Sequence, residues 1–231
     1  MKNFIKLIIA TAVIFCGVTY LEGEKNEEYL KGSYNQDQAT SSTLENDNKN
    51  IKELVLVNKQ IGLDKNYIPE GLTVPNIDFV SDSDDEEKQV AGIVIKPLEE
   101  LVNAASNEGI TIIGNSAYRS YKSQKKVYND RVKSEGRESA DAYVAKPGFS
   151  EHQTGLCIDV TNPSRYFVQG TIEADWIEKN CYKFGFIVRY PYGKRSITGI
   201  EHEPWHIRYV GKDAAKYIYD NGITLEEYLG Y

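Results

Sequence analysis

This 231-residue sequence predicts an α+β fold: a mixed, largely antiparallel sheet with helices packed around it. Three observations lead there. Short apolar runs with strand-like alternation recur along the chain, as where Ile158 and Val160 flank Asp159. Val90–Ser106 instead carries its apolar residues at helical spacing. The two patterns follow no regular strand–helix–strand alternation, which argues against a doubly wound parallel sheet.

The chain opens with a targeting segment, residues 1–21. Lys2 and Lys6 give it a positive start, and Leu7–Leu21 is almost wholly apolar. That run is at the long end for a signal-peptide core of roughly 7–15 residues and short for a membrane span of about 20. Three readings stay open: an uncleaved membrane anchor, a cleaved signal peptide, or a lipoprotein acylated at Cys16. Phe15 stands against the last, because lipoprotein signals usually carry a small residue there. All three export the protein. Residues 22–50 are rich in Asn, Gln, Ser, Thr, Glu and Lys and cannot bury enough surface to offset chain entropy, so they read as a flexible polar linker. The folded domain is expected over residues 51–231.

Within it, Glu53–Lys59 (ELVLVNK) reads as a strand, followed by a loop punctuated by Gly62, Pro69, Gly71 and Pro75. The acidic cluster Asp82–Glu87 is read as a solvated loop or the negative start of a helix, with no chemistry of its own. Pro97 is the discordant residue of the Val90–Ser106 helix, which either starts there or kinks there, and Gly109 closes it. A short buried strand is expected at Ile110–Ile113. Ser120 is placed to cap a helix over Tyr121–Ser134, with Val127 and Val132 on its inward face and Gly136 at its end. Glu173–Lys183 reads as a helix with Trp176 and Ile177 inward, broken by Gly185. Phe186–Tyr190 and Pro204–Val210 read as strands. In the second, Trp205, Ile207 and Tyr209 share one face, and His206 and Arg208 the other. Helices at Ala214–Asp220 and Leu225–Leu229 end the chain, with Gly222 where a helix-terminating glycine belongs.

Net charge is −7, and no basic patch or stripe marks a phosphate-binding surface, so nucleic acid is not an expected partner. Seventeen tyrosines against seven phenylalanines suit a cleft for polar substrates, and equally a core close to the surface.

Chemistry concentrates in two stretches. Ser150–Asp159 (SEHQTGLCID) offers His152 and Asp159, and Glu203–His206 (EPWH) offers a carboxylate and an imidazole. Two imidazoles, one ligating carboxylate and one spare carboxylate are the inventory of a catalytic zinc site with a position left for water. A lone histidine is more often structural, but two beside carboxylates in Gly- or Pro-marked turns shift that balance. His202–His206 also spells H-E-x-x-H. That pattern works only on a helix, and Pro204 with the following IRYV rules for a strand, leaving His202 a bystander.

SEHQTGLCID followed by EPWHIRYVG resembles the signature of the VanY-type D-alanyl-D-alanine carboxypeptidases, zinc peptidases of the superfamily that includes the VanX dipeptidases and the hedgehog fold. SAYRSYKSQ, AKPGFSEHQTG and FGFIVRYPYGK are similar to that family too, so the resemblance runs from about Glu53 to Leu229. It implies a hedgehog/D,D-peptidase-like fold, with His152, Asp159 and His206 as Zn2+ ligands and Glu203 as a general base that does not bind the metal. Zinc can lower the pKa of a water from about 15.7 to about 7, and a nearby carboxylate can take its proton. Arg119 matches the family arginine over the substrate carbonyl or terminal carboxylate, a task suited to a charged fork of donors. Gln124, Ser150 and Tyr190 match positions lining the same pocket, although polar residues in turns also simply satisfy backbone groups.

The implied substrate is the peptidoglycan stem peptide outside a bacterial cell, at the membrane face or in the wall, with the membrane a partner if residues 1–21 stay attached. The family divides between cleavage of the D-Ala–D-Ala bond and the L,D bond of the tetrapeptide, and the motifs do not separate the two. A non-catalytic wall-binding module on the same scaffold is the reading from another class, disfavoured by Glu203 and Arg119. Cys157 and Cys181 stand where the family generally has small residues. A disulfide between them and two buried free thiols both stay open, while Cys157 as a zinc ligand is set aside because no partner motif needs it.

Overall fold

In the computed structural model, which describes residues 52–231, the antiparallel sheet has four strands. They are β1 (Ile113–Ser116), β2 (Cys157–Thr161), β3 (Phe186–Tyr190) and β4 (Glu203–Tyr209). The order is β1-β2-β4-β3, and every neighbouring pair is antiparallel. The anchor, signal, lipoprotein and linker readings of residues 1–50 lie outside the described residues. Among the described residues no helix is long and apolar enough to cross a membrane.

Alternation along β2 and β4 gives the sheet two different faces. Ile158, Val160 and Ile207 are buried on one, with Trp205 and Tyr209 packed beside them. Helix α1 (Gly92–Asn107) covers this face with Val94, Leu98, Leu101 and Ala105, all fully buried at helical spacing. Pro97 lies inside α1, so the helix starts before it. The carbonyl that proline deprives of a donor is that of Ile93, on the exposed side. Helix α4 (Ile172–Asn180) adds Trp176 and Ile177, as expected, and passes into a 3-10 turn over Cys181–Phe184 before Gly185.

The opposite face carries Cys157, Asp159, His206 and Arg208. Beside it, helices α6 (Lys212–Asn221) and α7 (Leu225–Tyr228) bury Ala215, Ile218 and Leu225 against Ile187, Leu54 and Leu56. Thr224 and Glu227 cap α7 reciprocally.

Several expectations are corrected. Glu53–Lys59 is a 3-10 turn (Lys52–Leu54) followed by irregular chain. The carbonyls of Glu53 and Val55 accept from the Arg208 guanidinium, at 2.9 and 2.7 Å, where a strand would use a neighbouring strand. The first strand begins at Ile113 instead of Ile110, because the Ile110 N–H is spent closing α1 on the Ala105 carbonyl. Helix α2 (Tyr121–Glu135) is capped by Ser120 as expected, but its buried face is Gln124 and Tyr128, and Val127 is exposed. The Tyr128 hydroxyl donates to Asp141 at 2.5 Å, tying α2 to an unexpected helix, α3 (Arg137–Tyr143). A short α5 (Arg195–Thr198) was also not expected.

Gly155 ends the 3-10 turn Glu151–Thr154 with φ +65, and its N–H bonds the His152 carbonyl. A β-carbon there would meet the Ala91 nitrogen and the Pro69 ring at 3.0 Å. Gly155→Ala is therefore expected to lower stability by about 1–3 kcal/mol, read as an earlier urea midpoint at unchanged slope.

Candidate active site

His152 sits on a turn with almost no exposed surface, so its ring has a fixed direction. Its Nδ1 lies 2.6 Å from the Ala117 carbonyl, which selects the tautomer with the proton on Nδ1 and turns Nε2 toward Asp159 Oδ2, at 3.5 Å. Asp159 projects from the middle of β2, and its cross-strand partner on β4 is His206. His206 Nδ1 lies 2.8 Å from Asp159 Oδ1, while its Nε2 faces Glu151 Oε2 at 3.4 Å. The two imidazoles stand edge to face, centroids 5.1 Å apart. Each predicted ligand thus turns one donor inward, and each histidine's other nitrogen is held by a carbonyl or carboxylate, the outer support that metal-binding histidines require.

Burial works against charged imidazoles, yet Cys157 and Asp159 more than offset it, so His152 and His206 both hold a proton above the ordinary histidine range. Burial likewise raises the Asp159 carboxyl, and the His152 and His206 rings bring it below its usual value. A pocket that retains protons against burial is short of positive charge, and a divalent cation supplies it in exchange for them. The residues fit zinc.

Glu203 reaches the same cleft because β4 is irregular. Val188 pairs with Ile207, but Tyr190 pairs with Glu203, so β4 spends two extra residues between those rungs and turns Glu203 toward the site. Burial lifts the Glu203 carboxyl above the ordinary range, with the His206 ring pulling the other way. The cleft encloses about 450 Å3 and is lined by Arg119, Gln124, Ser150, Tyr190, Glu203 and the three candidate ligands, among others.

Arg119 is far from idle. Its Nε donates to Glu87 (2.6 Å), Nη1 to Gln124 (3.1 Å) and Nη2 to Ser116 (2.8 Å), which locks the guanidinium at the cleft wall. Gln124 is fixed in turn by donating to the Ala145 carbonyl at 2.7 Å. Tyr190 stacks obliquely on His206 with centroids 5.0 Å apart, and burial pushes its phenol up. His202 is not among the residues that line the cleft, and its Nδ1 lies 2.9 Å from the Tyr190 carbonyl.

Three residues were missed. Glu151 is fully buried between Arg189 Nε and Arg208 Nη1, both at 2.7 Å from its Oε1, and Arg189 makes a two-pronged pair with Glu226 at 2.8 and 2.7 Å. Glu87, from the acidic cluster given no chemistry, orients Arg119. Cys157, set aside as a ligand, has its Sγ within 4.8 Å of ring nitrogens of both His152 and His206, which are themselves equally close. Burial raises the Cys157 thiol, but the two imidazoles bring it down to about 7. Cys181 is free as well, and burial pushes it up to about 12. The disulfide left open does not form, because Cys181 belongs to the core on one face of the sheet and Cys157 projects from the other.

Residues 87–212 match the family model for VanY, D-alanyl-D-alanine carboxypeptidase. The chain is 35% identical over 189 residues to the bifunctional D-Ala-D-Ala dipeptidase and D-Ala-D-Ala carboxypeptidase VanXYC of Enterococcus gallinarum, covering 78% of this chain and 95% of that one. Among solved structures, the LdcB LD-carboxypeptidase superimposes with a TM-score of 0.73 at 40% identity, over 78% of this chain and 86% of that one. The vancomycin-resistance D,D-pentapeptidase VanY of a VanB-type cassette, solved as a mutant with Zn(II), gives 0.65 at 34% identity, over 78% and 99%. With the match extending over more than half of the chain and the donor set converging in one cleft, the chain belongs to the VanY family of D-alanyl-D-alanine carboxypeptidases.

Proposed function

We propose that this protein is a zinc-dependent carboxypeptidase that removes the C-terminal D-alanine from peptidoglycan stem peptides. The observation that carries the reading is the convergence of His152, Asp159 and His206 with an unpaired carboxylate, Glu203, and an anchored guanidinium, Arg119, around one cleft. His152 Nε2, the Asp159 carboxylate and His206 Nδ1 would hold the ion. When bound, zinc makes water nucleophilic near neutral pH and polarises the scissile carbonyl.

The chain's own residues do the rest. Glu203, destabilised as an anion by burial, accepts the proton of the attacking water and delivers it to the leaving amine of D-alanine. Arg119, held by Glu87, Gln124 and Ser116, presents its charge to the substrate carbonyl or terminal carboxylate. Gln124, Ser150 and Tyr190 line the pocket that receives the terminal residue. Residues 51–231 form the catalytic domain in this reading, while residues 1–21 direct export to the outer face of a bacterial membrane or wall and residues 22–50 serve as a tether.

The likeness to the LdcB LD-carboxypeptidase favours one second reading, cleavage of the L,D bond of the tetrapeptide stem. Offering the zinc-supplemented protein a muramyl pentapeptide and a muramyl tetrapeptide separately, with mass spectrometry to follow alanine loss, decides between them. Loss from the pentapeptide is expected. Loss from the tetrapeptide alone would move the protein to the second reading, and loss from neither, with zinc bound, would favour a non-catalytic wall-binding module. A further expectation concerns Arg119: Glu87→Gln removes the ionic one of its three holds and loosens the guanidinium, and a misplacement on the order of 1 Å can cost about 100-fold. KM should rise and kcat/KM fall by up to that factor, with zinc content unchanged.

A further inference from the structure

The donor cluster is larger than the proposed reaction needs. Cys157 precedes Asp159 by two positions on β2, so both side chains leave the same face of the strand. Its sulfur is fully buried, and Cys157 Sγ with one ring nitrogen each of His152 and His206 form a set whose members all lie within 4.8 Å of one another. Donors around a four-coordinate cation, with bonds of about 2.0–2.3 Å, are separated by roughly 3.3–3.8 Å. Modest inward movement of three side chains therefore suffices to close them on one ion.

We propose that Cys157 is a latent metal donor which gives this site a second binding mode, a His2Cys set for a thiophilic cation such as Cd2+. The inference rests on the proposed metal site only through its two histidines. Soft thiolate prefers soft cations, and the carboxylate of Asp159 harder ones, so the identity of the ion decides whether Cys157 joins the imidazole pair. The exchange is balanced without a redox step: the thiol releases its proton to solvent as the sulfur–metal bond forms, and so does each imidazole that still carries a proton on the nitrogen that binds. If Asp159 stays bound as well, four protein donors fill a tetrahedral sphere and leave no position for water, the arrangement of a closed site. A soft cation should then occupy the enzyme and silence it.

The test is an anaerobic titration of metal-free, full-length protein with Cd2+, monitored by the near-ultraviolet sulfur-to-cadmium charge-transfer band. Cys16→Ala with Cys181→Ala leaves Cys157 as the only thiol in this chain of three cysteines. In that background the band is expected to rise to one equivalent. Cys157→Ala should abolish it and weaken Cd2+ relative to Zn2+ by at least about tenfold, the least seen when even an outer supporting group is removed. Cys157→Ser, which keeps the volume, should also lose the band if the fold is intact. Cd2+ bound at one equivalent without the band, no Cd2+ binding, or a band that survives Cys157→Ala would each overturn the proposal. Alanine release by the zinc-loaded wild type is scored in parallel. Its absence would sink the proposed reaction while leaving the cadmium result to stand or fall separately.

Discussion

Glu203→Ala is expected to retain zinc and lose turnover. The three proposed donors, His152, Asp159 and His206, do not include Glu203, and the groups behind the two histidines are the Ala117 carbonyl and Glu151. Metal content should therefore match the wild type. The lost proton transfers, one from water and one to the departing amine, are each general acid–base steps of a kind worth roughly 10²–10⁴-fold. With one residue performing both, kcat should fall toward the upper end of that range, with KM changing little. Glu203→Gln, of equal size, should behave alike, which separates loss of the base from loss of packing. His206→Ala makes the contrast: it removes a donor, and zinc and activity should disappear together. Full activity in Glu203→Ala would show that the proton travels by another route.

What could be read from the sequence was local. His152, Asp159 and His206 lie in two short stretches whose glycine, proline and alternation mark them locally, whereas Glu203, in the second stretch, reaches the cleft only through the irregular pairing of β4 with β3. Strands and helices with strong period also emerged, because burial on one face is written in the spacing. Three kinds of feature did not. A run such as ELVLVNK announces that its side chains are buried but not what its carbonyls bond, and here they bond Arg208. Glu151 stands inside a recognised motif, but its role depends on Arg189, Arg208 and Glu226, which come from three other elements. The usable signal was in FIVRY and HIRYV: arginines inside buried strands demand carboxylates nearby. Parity along β2 already placed Cys157 on the face of Asp159. Carried one step further, it would have set that thiol beside the histidines and apart from Cys181.

Glu151 is the residue on which fold and chemistry meet, and its replacement should be costly in both. Two guanidinium groups and two carboxylates are sealed together: Arg189 and Arg208 have no exposed surface, and Glu151 and Glu226 are nearly as deep. The charges sum to zero only while all four are present. Burial alone would raise the Glu151 carboxyl, but Arg189 and Arg208 hold it far below the ordinary range, so it is an anion. Glu151→Gln keeps the shape and strands one positive charge, for which the loss from breaking a buried pair, about 3–5 kcal/mol, is expected in urea denaturation. Glu226→Gln breaks the same network from its far side and should cost a similar amount. The variants part company at the metal. Of the two carboxylates, Glu151 is the one that reaches Nε2 of His206, a proposed ligand, and removing the acceptor behind a metal-bound histidine lowers metal affinity by about 10–100-fold. Zinc competition against a chelator should thus show weakening in Glu151→Gln that Glu226→Gln does not share. Equal zinc affinity in the two would reduce Glu151 to a partner for arginines. A gap between them would mean that the ion pairs burying β3 against the C-terminal helix also aim the ligand.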